Sequence, residues 1–162
     1  MEYNKRNITE ENSNLQNRIK EKDAIIAQLN KQISEYKEIF DMSKVIDGKL
    51  QSTDICQKLH YIAFHIAKQK PTKTDWNNLK KSFSKLFPKF REILYTKYYL
   101  NDFEYHTSLL IRLNFKPSEI ALLQNCSLSE ITIIRKRLLY RVFGKAGGKA
   151  KDYDILVKQI IP

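Results

Sequence analysis

The sequence is poor in residues that interrupt helices: 162 residues contain four glycines and four prolines. No stretch shows the strict apolar–polar alternation of a half-buried strand over more than a few residues, so the expected fold class is all-α. Cysteine is also scarce. Cys56 and Cys126 lie far apart, and with His60, His65 and His106 they form no metal-ligand spacing, so neither metal nor cofactor is expected. No apolar run approaches the ~20 residues needed to cross a bilayer. The N-terminus carries no secretory pattern either, and together these predict a cytoplasmic chain without membrane contact. Paired carboxylates, a Ser/His/Asp grouping and a phosphate-binding loop are missing, which argues against an enzyme. Gly144-Lys145-Ala146-Gly147-Gly148-Lys149 resembles such a loop only superficially: it follows a helix and lacks the Ser/Thr after lysine.

What is present is positive charge, unevenly spread. The formal net charge is +11, with residues 1–50 neutral, 51–100 at +7 and 101–162 at +4. A polyanion-binding part attached to a neutral extension has this distribution. A basic surface kept for solubility has it too.

The neutral extension repeats every seven residues. Ile19, Ile26, Ile33 and Phe40 form one series, and Ile8, Leu15, Leu29 and Tyr36 the other, with Lys22 interrupting. Placed at heptad positions a and d, they give the 3-4 spacing of a coiled coil, and Ile at a with Leu at d favours a parallel dimer. Asn12 also falls at a, where a buried amide fixes register and dimer state. Residues 1–46 are therefore expected to form a dimerisation helix through Asn12, Leu15, Ile19, Ile26, Leu29, Ile33, Tyr36 and Phe40. A higher oligomer, or a helix folded back on its own domain, is compatible with the same stripe, which Ile25 and Ile39 widen.

Asp47-Gly48 is expected to break that helix, and 50–99 to form a helical support region. Ser52 is the expected cap of a helix with Ile55, Leu59, Ile62 and Ile66 on one face. After the turn at Pro71, Thr74 is the expected cap of a helix carrying Trp76, Leu79, Phe83 and Leu86. Pro88 ends it and starts another through Phe90, Ile93 and Leu94. Aromatics at helical spacing are read as core in preference to base-stacking platforms.

Residues 100–162 carry the functional signal. Pro117 with Glu119-Ile120-Ala121 opens a short helix, Asn125-Cys126 turns the chain, and Ser127 with Glu130 makes a capping box for a longer one. The second helix, 128–143, has Ile131, Ile134, Leu138 and Val142 on one stripe and also carries Arg135, Lys136, Arg137 and Arg141. A scaffold helix, a tight turn and a capped cationic helix suit insertion into the DNA major groove. Asp152–Ile160 is expected to close the domain as a helix.

Residues 100–144 resemble the LuxR-type helix-turn-helix, related in shape to region four of sigma factors. The matching pieces are Leu100-Asn101 with Glu104, Glu119-Ile120-Ala121, and Ser127 with Ile131. Over about 74–160, Asp75-Trp76, Phe87-Pro88-Lys89-Phe90, Leu110-Ile111-Arg112-Leu113, Ile134-Arg135-Lys136-Arg137-Leu138 and Phe143-Gly144-Lys145 look like the C-terminal module of bacterial tetratricopeptide-repeat regulators. In that group the module follows a coiled coil, often with a membrane span and repeat array before it. The resemblance implies DNA binding and transcriptional control, with double-stranded DNA, a second copy of the chain, and an upstream sensor or RNA polymerase as partners. Gln124 departs from the pattern, standing where an apolar residue is usual and predicting weaker packing before the turn or a slight bend of the register.

With Ile131 as the inward reference, Ser129, Ile133, Lys136 and Tyr140 point outward and Thr132 and Arg137 flank them, whereas Arg135 lies near the buried edge. The expected DNA contacts are Ser129, Thr132, Ile133, Arg135, Lys136 and Arg137 on the helix, with Lys116, Lys145, Lys149 and Lys151 holding phosphates. The exposed apolar groups equally suit a protein-interaction module in which the helix-turn-helix is structural.

Overall fold

A computed structural model of the chain describes the backbone of residues 2–64 and 69–160 and the side chains of 10–64 and 69–160. The expectations for the side chain of Ile8, and for His65 and Ile66, lie outside the described residues. Among those residues the fold is all-α, without a strand. It comprises α1 (Glu2–Gln51), α2 (Asp54–Phe64), α3 (Lys73–Leu86), α4 (Pro88–Arg91), a π-helical segment (Glu92–Lys97), α5 (Asp102–Arg112), α6 (Pro117–Gln124), α7 (Leu128–Phe143) and α8 (Ala150–Lys158). No helix among the described residues is long and apolar enough to cross a membrane.

Two compact units divide the chain, 1–42 and 43–162. In the first, α1 alone presents the heptad residues. Leu15, Ile19, Ile26, Leu29, Ile33, Tyr36 and Phe40 are all at least half exposed, and Asn12 is exposed beside them.

The second unit begins inside α1, because the break expected at Asp47-Gly48 does not occur. Gly in a helix costs about 1 kcal/mol relative to Ala, and distant contacts outweigh it. The buried Arg112 donates to Ser43 Oγ at 3.0 Å and pairs with Asp47 at 3.2 Å. Leu50 is buried, and the Gln51 amide donates to the Leu113 carbonyl at 2.9 Å. Burying a leucine side chain contributes about 2 kcal/mol by itself.

Two helix starts also differ from expectation. Ser52 does not cap α2: its hydroxyl turns back to the Lys49 carbonyl, while Thr53 Oγ1 accepts from the Cys56 N–H. Thr72, not Thr74, caps α3, since only Thr72 has an acidic residue at the reciprocating third position. The Thr72 N–H donates to Asp75 Oδ2 at 2.8 Å and the Asp75 N–H to Thr72 Oγ1 at 3.2 Å. Asp75 also takes Lys58 of α2 at 2.8 Å. Burial pushes its carboxyl up, but the bonds from Lys58 and Thr72 together hold it below the usual range.

The aromatics are core. Phe83, Phe87, Phe90, Tyr105 and Tyr153 are fully buried, and Trp76 stacks on His106 at 4.1 Å between ring centroids. The core unites residues expected in separate regions: Leu59, Leu79 and Leu94 share it with Leu109, Ile120 and Leu138. Regions 50–99 and 100–162 thus belong to one compact unit, with α2 packed on both α3 and α6.

Candidate nucleic-acid interface

Local chemistry sets where α6 and α7 begin and end. Pro117 occupies the start of α6, where its missing N–H is harmless, and Glu119 Oε2 accepts from the Lys116 N–H at 2.6 Å. Asn125 then adopts the left-handed conformation at φ 55°, ending α6 three residues before α7 begins. Lys70 reaches over to the Asn125 side-chain oxygen. At the start of α7, Glu130 Oε2 accepts from both the N–H and the hydroxyl of Ser127 at 2.8 Å, while Ser127 Oγ accepts from the Glu130 N–H. The bonds from Ser127 hold the Glu130 carboxyl below its ordinary range. Gly144, at φ 67°, closes the far end.

Gln124 finds a polar partner. Its amide donates to Thr107 Oγ1 of α5 at 2.6 Å, so an apolar neighbour is replaced by a hydrogen bond. Cys126 packs half-buried against the core. The glycine-rich segment after α7 is likewise structural: any side chain at Gly148 would collide with Leu139.

Ile131, Leu138, Leu139 and Val142 of α7 are buried, with Ile134 half-buried beside them. The opposite face exposes Ser129, Ile133, Lys136 and Tyr140, with Ile133 62 % and Tyr140 64 % exposed. Thr132 flanks this face but directs its hydroxyl to the Leu128 carbonyl at 3.0 Å, which leaves its oxygen free only as an acceptor.

The arginines divide. Arg135 is buried, its Nε donating to Asp154 Oδ1 of α8 at 2.8 Å and its Nη2 to the other oxygen. Its assignment as a DNA contact is therefore corrected: the guanidinium is buried against Asp154, out of reach of a base or phosphate. Arg137 is half exposed, but its Nη2 donates to Glu104 Oε1 at 2.7 Å. Arg141 reaches the same carboxylate at 3.1 Å, and through Nη2 the Tyr98 and Tyr99 carbonyls at 2.6 and 2.7 Å. Glu104 is buried on α5 and also accepts from the Asn101 N–H at 3.0 Å. Lys136 is exposed and makes none of the ion pairs found among the described residues.

Glu104 and Arg141 were not among the expected site residues. The i, i+4 spacing of Arg137 and Arg141 places them on one face, which was the available signal; their common acceptor lies 33 and 37 residues away. Lys116 is exposed at the mouth of α6, and Lys145, Lys149 and Lys151 are exposed between α7 and the first turn of α8. The Lys149 N–H donates to Asp152 at 2.8 Å, starting α8 two residues earlier than expected while leaving the ammonium in solvent.

No protein-family model matches the chain, and neither the curated proteins nor the solved structures contain a significant match.

Proposed function

We propose that the chain is a DNA-binding transcriptional regulator that acts as a homodimer through α1 and presents α7 to the major groove. The carrying observation is the outer face of α7: Ser129, Ile133 and Lys136 stand exposed on a helix capped at both ends behind a tight turn. Lys136 supplies a mobile cation for a phosphate or guanine edge, Ser129 a short polar reader, and Ile133 a surface for a thymine methyl. Lys116, Lys145, Lys149 and Lys151 add phosphate contacts that set affinity and register. Arg137 acts first as a strut against Glu104, with its exposed portion beside the groove-facing row. The uncovered apolar stripe of α1 is complementary to its own copy under the heptad rule, which supports a parallel pair and two half-sites.

A second reading has its own support. Leu128, Ile133 and Tyr140 together expose apolar surface on α7 while its arginines are engaged within the fold. That combination suits a protein partner.

Gel-shift titration of the full chain against a panel of promoter-length duplexes distinguishes the two readings. The DNA reading expects binding that weakens steeply between about 50 and 200 mM salt. Absence of binding at the lower salt concentration overturns it in favour of a protein partner.

A further inference from the structure

Away from α7, a cleft of about 550 Å³ opens between α3 and the α4–π-helical segment. Its size falls within the range of small-molecule sites. Lys80, Lys81, Lys85 and Arg91 line it together with Tyr95 and Tyr105, and no carboxylate among the described residues does. Lys80 pairs with the largely exposed Asp102 at 3.1 Å, and among the described residues Lys81, Lys85 and Arg91 form no ion pair.

A basic cleft alone would be a solvated surface. The distinguishing group is Tyr105, which is 1 % exposed and whose hydroxyl has no hydrogen-bond partner among the described residues. A buried O–H without an acceptor is costly, and phenylalanine would fill the same space without that cost. Tyr105 is itself one of the residues that line the cleft, beside Arg91 and Tyr95. Burial holds the phenol protonated far above the ordinary tyrosine range, so it is poised to donate. Tyr95 remains partly exposed, its centroid 5.3 Å from that of Tyr105, and offers an aromatic wall for a planar ring.

We propose that this cleft binds a phosphorylated small molecule of nucleotide size, its phosphate oxygens held by Lys81, Lys85 and Arg91 and by the Tyr105 hydroxyl. The inference is independent of the DNA-binding reading. The ligand supplies the acceptor that Tyr105 lacks and neutralises a cluster of like charges, and its ring packs on Tyr95. Two or more phosphates fit the cluster of Lys81, Lys85 and Arg91 better than one.

Calorimetric titration of the full chain with ATP, pyrophosphate and inorganic phosphate tests the proposal. Saturable binding is expected for ATP and pyrophosphate, and weaker binding for phosphate. Tyr105→Phe should weaken ATP binding about tenfold, as loss of one hydrogen bond to a charged group predicts, with an unchanged or higher melting temperature. Lys85→Gln with Arg91→Gln, both at exposed positions, should abolish saturation while the protein stays folded by circular dichroism. Absence of saturable binding for all three probes, or wild-type affinity in the double variant, overturns the proposal. A duplex oligonucleotide forms the control arm. If it alone binds, and loses affinity in the same variants, the cleft holds backbone phosphates and the small-molecule assignment falls.

Discussion

Arg137 on α7 and Glu104 on α5 meet at 2.7 Å, and the carboxylate is buried while half of the arginine side chain remains in solvent. The pair, with Arg141 on the second oxygen, makes the basic row of α7 partly an internal fastening. Glu104→Ala is accordingly expected to destabilise the fold by about 1–3 kcal/mol, because it removes the buried carboxylate that accepts from Arg137, Arg141 and the Asn101 N–H. Urea unfolding measures this, and a loss under 0.5 kcal/mol would contradict the assignment.

Lys136 and Arg135 are adjacent in sequence but should behave oppositely. Lys136→Gln is expected to weaken DNA binding and lower the salt slope by about one unit, without moving the melting temperature. Arg135→Gln should instead lower the melting temperature, since it strips Asp154 of its bidentate partner. Parallel melting curves and salt titrations of the two variants would expose a reversed pattern.

Association should depend on the α1 stripe. The double change Ile26→Lys and Ile33→Lys is expected to give a monomer, because each buried aliphatic side chain contributes on the order of 2 kcal/mol. Asn12→Ile should strengthen association and loosen the choice of oligomer. Sedimentation at micromolar concentration checks both, and a monomeric wild-type chain would rule the dimer out.

Gly48 lies within α1, and a Cβ there meets nothing within 4 Å. Gly48→Ala is therefore expected to stabilise the chain by roughly 0.5–1 kcal/mol through reduced freedom of the unfolded state. A destabilised variant in thermal unfolding would mean that helix does not persist at this position.

His106 should make the fold acid-sensitive. Burial, reinforced by the charge of Lys80 and opposed by Asp102, lowers its pKa to about 4. The unfolded histidine, near its ordinary 6.5, then binds more protons than the folded one between these values, so stability falls as pH drops through that window. His106→Phe keeps a ring against Trp76 and should flatten this part of the urea-midpoint profile between pH 4 and 7. An unchanged slope would assign the acid sensitivity elsewhere.

Features set by near neighbours were legible in the sequence. Ser127 and Glu130 cap α7 as their spacing predicts, and Pro117 begins α6. The apolar stripe from Ile131 to Val142 faces inward, with Lys136 and Ile133 outside. What escaped depends on partners distant in sequence. Arg135 lies near the inward edge by helical geometry, but its burial is decided by Asp154, 19 residues on. Helix continuity past Gly48 follows from Arg112, about 65 residues away. Thr72 prevails over Thr74 because Asp75 both reciprocates the cap and receives Lys58 from another helix. Periodicity and capping report the first kind of constraint, whereas charge pairing across a core leaves no local trace.

The Glu104 clasp also gives the α5–α7 contact its own temperature dependence. Hydration of charged groups becomes less favourable on heating, so the penalty for keeping that carboxylate away from water shrinks while apolar burial levels off. Warming thus shifts the balance of forces toward the arginine fastening, and α7 is held against α5 by the part of the fold whose relative weight grows with heat.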